Sequence, residues 1–152
     1  MARPPTVSAL ETHLGYWLRI VSNQVSQSFS RKVAEAGVSV AEWVILRELH
    51  DGDVAPSLLA AKTGLTRGGI TKIADKLTAK SFVTRTQDDE DLRYQALALT
   101  AKGRALVPKL AALADRNDAE FFGHLSVAER KTIEKIMRDI VRRHGLTSVP
   151  VE

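Results

Sequence analysis

The sequence predicts a mainly α-helical fold: a winged helix-turn-helix with a small β-hairpin as its wing and further helices at both ends. Three observations predict it. Four segments with the helical period of apolar residues come first, and the period then changes from about 3.6 to 2 in two short segments. Two more helical segments follow the second short segment. The predicted order is therefore four helices, a hairpin and two helices.

Composition bounds the class of protein. The 152 residues suit one domain, and 44% of them are hydrophobic. Lysine and arginine number 22 against 18 acidic residues, a formal charge of +4 that is compatible with a polyanionic partner. The chain has no cysteine, which excludes disulfides, thiolate zinc sites and cysteine redox sensing. It shows neither a signal-peptide pattern nor 18 consecutive apolar residues, so we expect a cytoplasmic protein that does not contact a membrane.

The first helix is predicted over residues 8–36, because its apolar residues recur at steps of three and four. They are Leu10, Leu14, Trp17, Leu18, Val21, Val25 and Phe29. Gly37 supplies a C-terminal stop. A helix of about 28 residues would span roughly 42 Å, more than one small domain covers. Part of this apolar stripe is therefore expected to contact a second subunit.

Capping signals place the next three helices. Ser39 and Glu42 form a capping box, in which the hydroxyl accepts from a backbone amide and the glutamate reaches back. Pro56 can open a short third helix at its first turn. The third helix ends at residues 63–65, which include a glycine. Thr66 then caps a fourth helix that runs to about Lys80.

The hairpin and the last two helices follow in the same way. Strands are predicted over residues 82–86 and 94–99, joined by a polar tip at 87–93. Thr100 caps the fifth helix. Ser126 and Glu129 form a second capping box, which opens a last helix that ends at Gly145.

The fourth helix has two distinct faces at 100° per residue. The face predicted to be buried carries Ile70, Ile73, Ala74 and Leu77. The face predicted to be exposed carries Arg67, Gly68, Thr71, Lys72, Asp75 and Lys76. Basic side chains neutralise phosphates, and Arg67 and Thr71, near the N-terminus, could reach base edges in a major groove. A solvated helix face is the alternative, and the hairpin directly after the helix favours the interpretation as a DNA-reading helix.

Two other features leave more than one interpretation open. Gly68 and Gly69 either allow the backbone to approach DNA closely or only loosen the first turn of the helix. The hairpin tip places four carboxylates, residues 88–91, beside Arg85 and Arg93. A surface loop offers no cleft that would raise one carboxyl pKa, and the spacing is not that of a calcium loop. We favour the interpretation that Asp91 binds an arginine and holds its guanidinium in position to enter a minor groove.

The sequence shows no sign of an enzyme. The four histidines lack the spacing of metal-ligand pairs, and there is no glycine-rich phosphate loop, nucleophile motif or dinucleotide fingerprint. We therefore expect no catalytic residues, metal or cofactor.

Several motifs resemble those of the multiple antibiotic resistance regulator (MarR) family. The segment 65–77 is similar to its recognition helix, and residues 41–43 are similar to part of its second helix. Asp91-Leu92-Arg93, followed by Leu-Thr-Ala-Lys-Gly at 99–103, resembles its wing signature. The resemblance covers nearly the whole chain. Leu92 stands where many members have a second arginine, and Ser81 stands where a glycine is usual.

The resemblance implies a homodimer whose first, fifth and sixth helices interlock. Residues 8–36 and 100–145 would then be dimerisation helices, and 39–99 the winged helix-turn-helix module that binds double-stranded DNA. It also implies a ligand-responsive repressor on a pseudo-palindromic operator, with a small aromatic or phenolic anion as effector. The alternatives are an architectural or constitutive DNA binder without a ligand, and a protein–protein adaptor.

The candidate residues follow from the exposed face of the fourth helix, its cap, the hairpin and the family resemblance. The candidate DNA-binding residues are Thr66, Arg67, Gly68, Thr71, Lys72, Lys76, Arg85, Asp91 and Arg93. The candidate ligand-binding residues are Trp17, Trp43 and Arg47.

Overall fold

A computed structural model describes residues 5–87 and 95–151. Within these residues the chain forms six α-helices and two antiparallel strands, in the predicted order. The elements are α1 (Leu14–Glu35), α2 (Val40–His50), α3 (Pro56–Thr63), α4 (Arg67–Ala79), β1 (Val83–Gln87), β2 (Gln95–Leu99), α5 (Ala101–Phe122) and α6 (Val127–Arg143). The winged helix-turn-helix predicted from the sequence is confirmed.

The first helix begins later than predicted. Residues Leu10–Thr12 form a 3₁₀ turn, and His13 has an extended backbone, so α1 starts at Leu14 and has 22 residues. Side chains explain the break. The Thr12 hydroxyl donates to the Ala9 carbonyl at 2.6 Å, and the Trp17 indole donates to the Glu11 carbonyl at 2.9 Å. Such local bonds compete with helical hydrogen bonding, and apolar periodicity does not reveal them.

The predicted hydroxyl caps are confirmed, but in neither of the two predicted capping boxes does the glutamate side chain accept from the backbone amide of the capping serine. The hydroxyls of Thr66, Thr100 and Ser126 each accept from a backbone amide three residues later. Ser39 does the same at 3.1 Å, but the Glu42 side chain does not reach back as predicted. Its carboxylate is buried and accepts from Lys80 Nζ at 2.7 Å. A long-range ion pair has replaced the second half of the capping box.

Two residues in the left-handed region shape the helix-turn-helix and the turn after it. Gly64 ends α3 at φ +74°, as expected of a helix-ending glycine. Ser81, which follows the end of α4, has φ +64°. A glycine would adopt this conformation without strain, which explains why a glycine is usual at this position. The Thr100 hydroxyl donates to the Ser81 carbonyl at 2.6 Å and helps to hold the turn.

The hairpin carries an extra contact. Strands β1 and β2 pair with Val83 opposite Leu99 and Gln87 opposite Gln95. The other edge of β2 forms a bridge with Val54, which lies before α3. The sequence did not predict this bridge, because a single paired residue has no periodicity. It fixes the base of the wing to the start of the helix-turn-helix.

One core joins the helices to the hairpin. Its most deeply buried large side chains are Val33, Ile45, Leu46, Leu49, Leu59, Ile70, Leu77, Leu97 and Leu110. Gly103 in α5 lies against the turn before β1, where a Cβ atom would collide with the Phe82 carbonyl oxygen. The Leu-Thr-x-x-Gly motif is therefore a packing device: the threonine caps α5 and the glycine lets it approach the wing.

Large apolar side chains of α1 and α6 are exposed. No residue of α6 is buried, although Ile133, Ile136, Met137, Ile140 and Val141 recur along it at steps of three and four. On α1, Leu14 is 87% exposed, and Trp17 and Leu18 are 52% and 58% exposed. Among the described residues, no helix is long and apolar enough to cross a membrane. Two amphipathic helices thus present apolar faces that the chain itself does not cover.

Candidate DNA-binding surface

The exposed face of α4 is where the sequence placed it. Arg67, Thr71, Lys72 and Lys76 are exposed, together with Gly68 and Asp75. On the opposite face Ile70, Ala74 and Leu77 are buried in the core, and Ile73 is half-buried. Because the apolar face is fixed to the rest of the domain, the basic face must project outward. A helix with such a face can enter a major groove.

The first turn of α4 is built around the Thr66 hydroxyl. That oxygen accepts from the Gly69 amide at 3.0 Å, so Thr66 is occupied as a cap. A Cβ atom at position 69 would lie 3.3 Å from the same oxygen, whereas one at Gly68 would meet nothing nearer than 3.9 Å. Gly69 therefore keeps the cap uncrowded, and the exposed Gly68 leaves the backbone accessible from outside.

Arg67, Thr71 and Arg85 line a common cleft between α4 and the wing. Its volume is about 450 Å³, and Ser57 at the start of α3 and Gln95 at the start of β2 complete its polar wall. Thr66, Gly68, Lys72 and Lys76 lie outside this cleft. Asp91 and Arg93 lie outside the described residues. The fold thus brings two arginines from different elements to one concave surface.

Asp75 holds one of these arginines. The Arg85 Nη2 atom lies 2.6 Å from Asp75 Oδ1, and the two side chains are 39% and 64% exposed. The sequence interpretation paired an arginine with Asp91 on the hairpin tip and gave Asp75 no role. The pair spans α4 and β1, so no local pattern in the sequence could have indicated it.

A second cavity lies between α1, α2 and α5. Its volume is about 290 Å³, and its wall is mainly apolar, with Phe29 and Trp43 as the aromatic members. Asn117, Asp118 and Ser26 supply polar groups. Of the candidate ligand residues only Trp43 lines it. Trp17 is half exposed on α1, and Arg47 binds Asp51 at 3.0 Å outside the cavity.

A partly buried polar network lies beside this cavity and shares Asn117 with it. Lys32 Nζ donates to Ser28 Oγ at 2.7 Å, to Asn117 Oδ1 at 3.0 Å and to Glu120 Oε2 at 2.8 Å. Asn117 in turn donates to the Val25 carbonyl at 3.2 Å. These bonds use all three ammonium donors and tie α1 to α5. Asn117 was missed by the sequence analysis, since an isolated asparagine on an amphipathic helix gives no signal.

Comparison with known proteins shows similarity to one family of regulators. The MarR family model matches residues 36–93, which contain the helix-turn-helix and much of the wing. The chain is 27% identical over 135 residues to the HTH-type transcriptional regulator PrsX of Escherichia coli, covering 86% of this chain and 81% of PrsX. Over its helix-turn-helix and part of its wing, the chain is similar to proteins of the MarR family.

Solved structures agree with this MarR fold. CouR from Rhodococcus jostii RHA1, bound to p-coumaroyl-CoA, superposes with a TM-score of 0.78 at 24% identity, covering 95% of this chain and 99% of CouR. A mutant of MarR from E. coli, complexed with operator DNA, superposes with a TM-score of 0.74 at 20% identity, covering 84% of this chain and 93% of the MarR chain. At these identities the superpositions establish the fold.

Replacing Asp75 with asparagine is expected to tighten binding of the chain to duplex DNA. The change removes a negative charge from the exposed face of α4 and releases the Arg85 guanidinium toward phosphates. We expect several-fold higher affinity for any duplex and a salt slope steeper by about one. Titrations at several salt concentrations would measure both quantities.

Asp115→Asn is the matched control, because Asp115 is exposed on α5 and does not line the cleft. It should leave affinity and slope unchanged. Weaker binding by the Asp75 variant would show instead that Asp75 must hold Arg85 for contact.

Proposed function

We propose that this protein is a transcription regulator that binds double-stranded DNA sequence-specifically as a homodimer and releases it when a small effector binds. The observation that carries the proposal is the outward basic face of α4 beside a cleft containing Arg67 and Arg85. One helix would lie in a major groove and the wing beside it. The division into dimerisation helices over 8–36 and 100–145 and a DNA-binding module over 39–99 belongs to this proposal.

The uncovered faces of α1 and α6 support a dimer. Burying a large aliphatic side chain is worth about 1.5–3 kcal/mol, so a chain with this many exposed ones gains by association. A two-fold dimer presents two copies of α4 to one side of a duplex. It should read a pseudo-palindrome whose half-sites lie about 10 to 10.5 base pairs apart.

The cavity beside Trp43 supports an effector. Its volume and its apolar, aromatic wall suit one small aromatic ring system. CouR carries p-coumaroyl-CoA, an aromatic acyl group on a polyanion, which supports an aromatic or phenolic anion here as well. The cavity walls come from helices on both the dimerisation and the DNA-binding sides, so an occupant could shift one relative to the other. We infer that the regulator is a repressor of this ligand-responsive type.

The experiment that tests the proposal is selection of bound sequences from random duplexes, followed by footprinting at several salt concentrations. We expect a pseudo-palindromic footprint and affinity that falls steeply with salt. An aromatic acid such as salicylate is then added to the complex. Failure to bind any duplex at low salt would leave the winged module as a protein-binding adaptor. A footprint insensitive to aromatic acids would favour a constitutive DNA binder.

A further inference from the structure

An ion pair with a buried carboxylate ties the end of α4 to α2. Lys80, the residue that ends α4, places its Nζ atom 2.7 Å from Glu42 Oε2. The Glu42 side chain is only 5% exposed, whereas that of Lys80 is 38% exposed. The carboxylate is therefore enclosed in the domain, and the lysine reaches in from the surface to neutralise it.

Lys80 makes two more contacts that belong to other elements. Its Nζ atom donates to the Gly37 carbonyl at 2.9 Å, in the turn between α1 and α2. Its own carbonyl accepts from Lys102 Nζ of α5 at 3.0 Å. The Lys102 ammonium also lies 4.8 Å from the centre of the Phe82 ring. One residue at the C-terminus of α4 thus meets the α1–α2 turn, α2 and α5.

The arrangement restrains α4 where its core contacts end. A buried charge that loses its partner is strongly destabilising, so α4 cannot tilt away from α2 without leaving Glu42 unpaired. The other end of α4 is fixed by the tight turn at Gly64 and the Thr66 cap. Because both ends of α4 are fixed, the direction in which its basic face points is fixed as well.

We propose that Glu42 and Lys80 are a positioning pair that sets the orientation of α4, and with it the discrimination between specific and random DNA. The inference rests on the proposed DNA-binding function. Base contacts need a side chain placed to within a fraction of an ångström, whereas phosphate attraction tolerates a tilted helix. Loosening the pair therefore lowers specific binding and spares random binding.

The helix α2, which carries Glu42, also forms a wall of the cavity beside Trp43. Val40 and Trp43, in the same part of α2 as Glu42, line that cavity. An occupant that displaces the start of α2 would move the carboxylate that holds Lys80. The pair is therefore one route, beside the shared core, by which the cavity wall contacts α4.

The test is Glu42→Gln, which keeps the size of the side chain, removes the charge and leaves every DNA-facing residue in place. On the site selected by the wild-type protein, the ratio of specific to random affinity is expected to fall about tenfold. Affinity for random duplex should not fall below the wild-type value, because the variant loses no positive charge. Amide hydrogen exchange should become faster in the last turn of α4 and not in the middle of α5.

Glu48→Gln is the matched control. It breaks the ion pair between Glu48 of α2 and Lys62 of α3, whose Nζ and Oε2 atoms lie 2.8 Å apart. That pair does not touch the end of α4, so the affinity ratio should change by less than about twofold. A thermal melt followed by circular dichroism checks that each variant is folded.

Two results would overturn the inference: an unchanged ratio in Glu42→Gln, whether both affinities are kept or both fall by the same factor, or the same fall of the ratio in Glu48→Gln. If Glu42→Gln does not fold, the double variant Glu42→Leu with Lys80→Met replaces the pair by apolar side chains, which is often tolerated. The ratio of specific to random affinity should fall in this double variant as well. Loss of the Lys80 charge weakens binding to both kinds of DNA by the same factor, so it does not change the ratio. A wild-type protein that selects no site would contradict the proposed function itself.

Discussion

The Arg67→Ala variant is expected to lose about 1–3 kcal/mol of binding free energy on the specific site and very little on random DNA. Arg67 is the first residue of α4, exposed, and borders the cleft between the helix and the wing. A guanidinium at the N-terminal end of a recognition helix can bind both acceptors of a guanine edge. Competition titrations with the selected site and a scrambled duplex would measure the difference.

Lys76→Ala provides the comparison for Arg67→Ala. Lys76 lies more than two turns further along the same face and outside the cleft, where a phosphate is the expected contact. This variant should bind specific and random DNA more weakly by the same factor, and its salt slope should fall by about one. If both variants bind every DNA sequence more weakly by the same factor, the helix contacts only the phosphate backbone of the DNA. The assignment of Arg67 as a base-reading residue is then wrong.

Much of the fold is predictable because its signals are local. Thr66 and Thr100 cap helices through amides three residues away, so the hydroxyl and its helix are neighbours in the chain. Gly64 adopts the left-handed conformation within the turn that it ends. The exposed face of α4 follows from the helical period alone, since Ile70 and Leu77 must both reach the core.

The contacts that orient the candidate site were not predictable in this way. Asp75 and Arg85 are ten residues apart in the chain, and Glu42 and Lys80 are 38 apart. Whether two charges meet depends on the angles between packed elements, which periodicity does not specify. Glu42 shows this clearly: its spacing from Ser39 fits a capping box, yet burial against the end of α4 gives its carboxylate a different partner.

Ile136→Asp is expected to abolish the proposed dimer and with it almost all specific DNA binding. Ile136 is 54% exposed in the single chain and lies on the apolar face of α6. In a two-fold interface each substitution occurs twice, so losing two buried isoleucines costs about 3–6 kcal/mol before the cost of burying charge. Linked half-sites gain about 10²–10⁴ in affinity from simultaneous engagement, and a monomer forfeits this gain. Sedimentation velocity and titration on the selected site would measure the two effects.

Lys135→Asp tests whether the effect of Ile136→Asp comes from position or from charge. Lys135 neighbours Ile136 but shares the polar side of α6 with Lys131 and Arg138, so its variant should remain dimeric and bind the site. The Ile136 variant should sediment as a monomer, or unfold if the dimer supplies most of the stability. The exposed apolar faces of α1 and α6 need a partner subunit to cover them. A wild-type chain that sediments as a stable folded monomer at micromolar concentration would therefore contradict the proposed dimer outright. An Ile136→Asp chain that stays dimeric would show instead that the interface does not include this part of α6. The half-site spacing would then have to be derived from an interface formed by other helices.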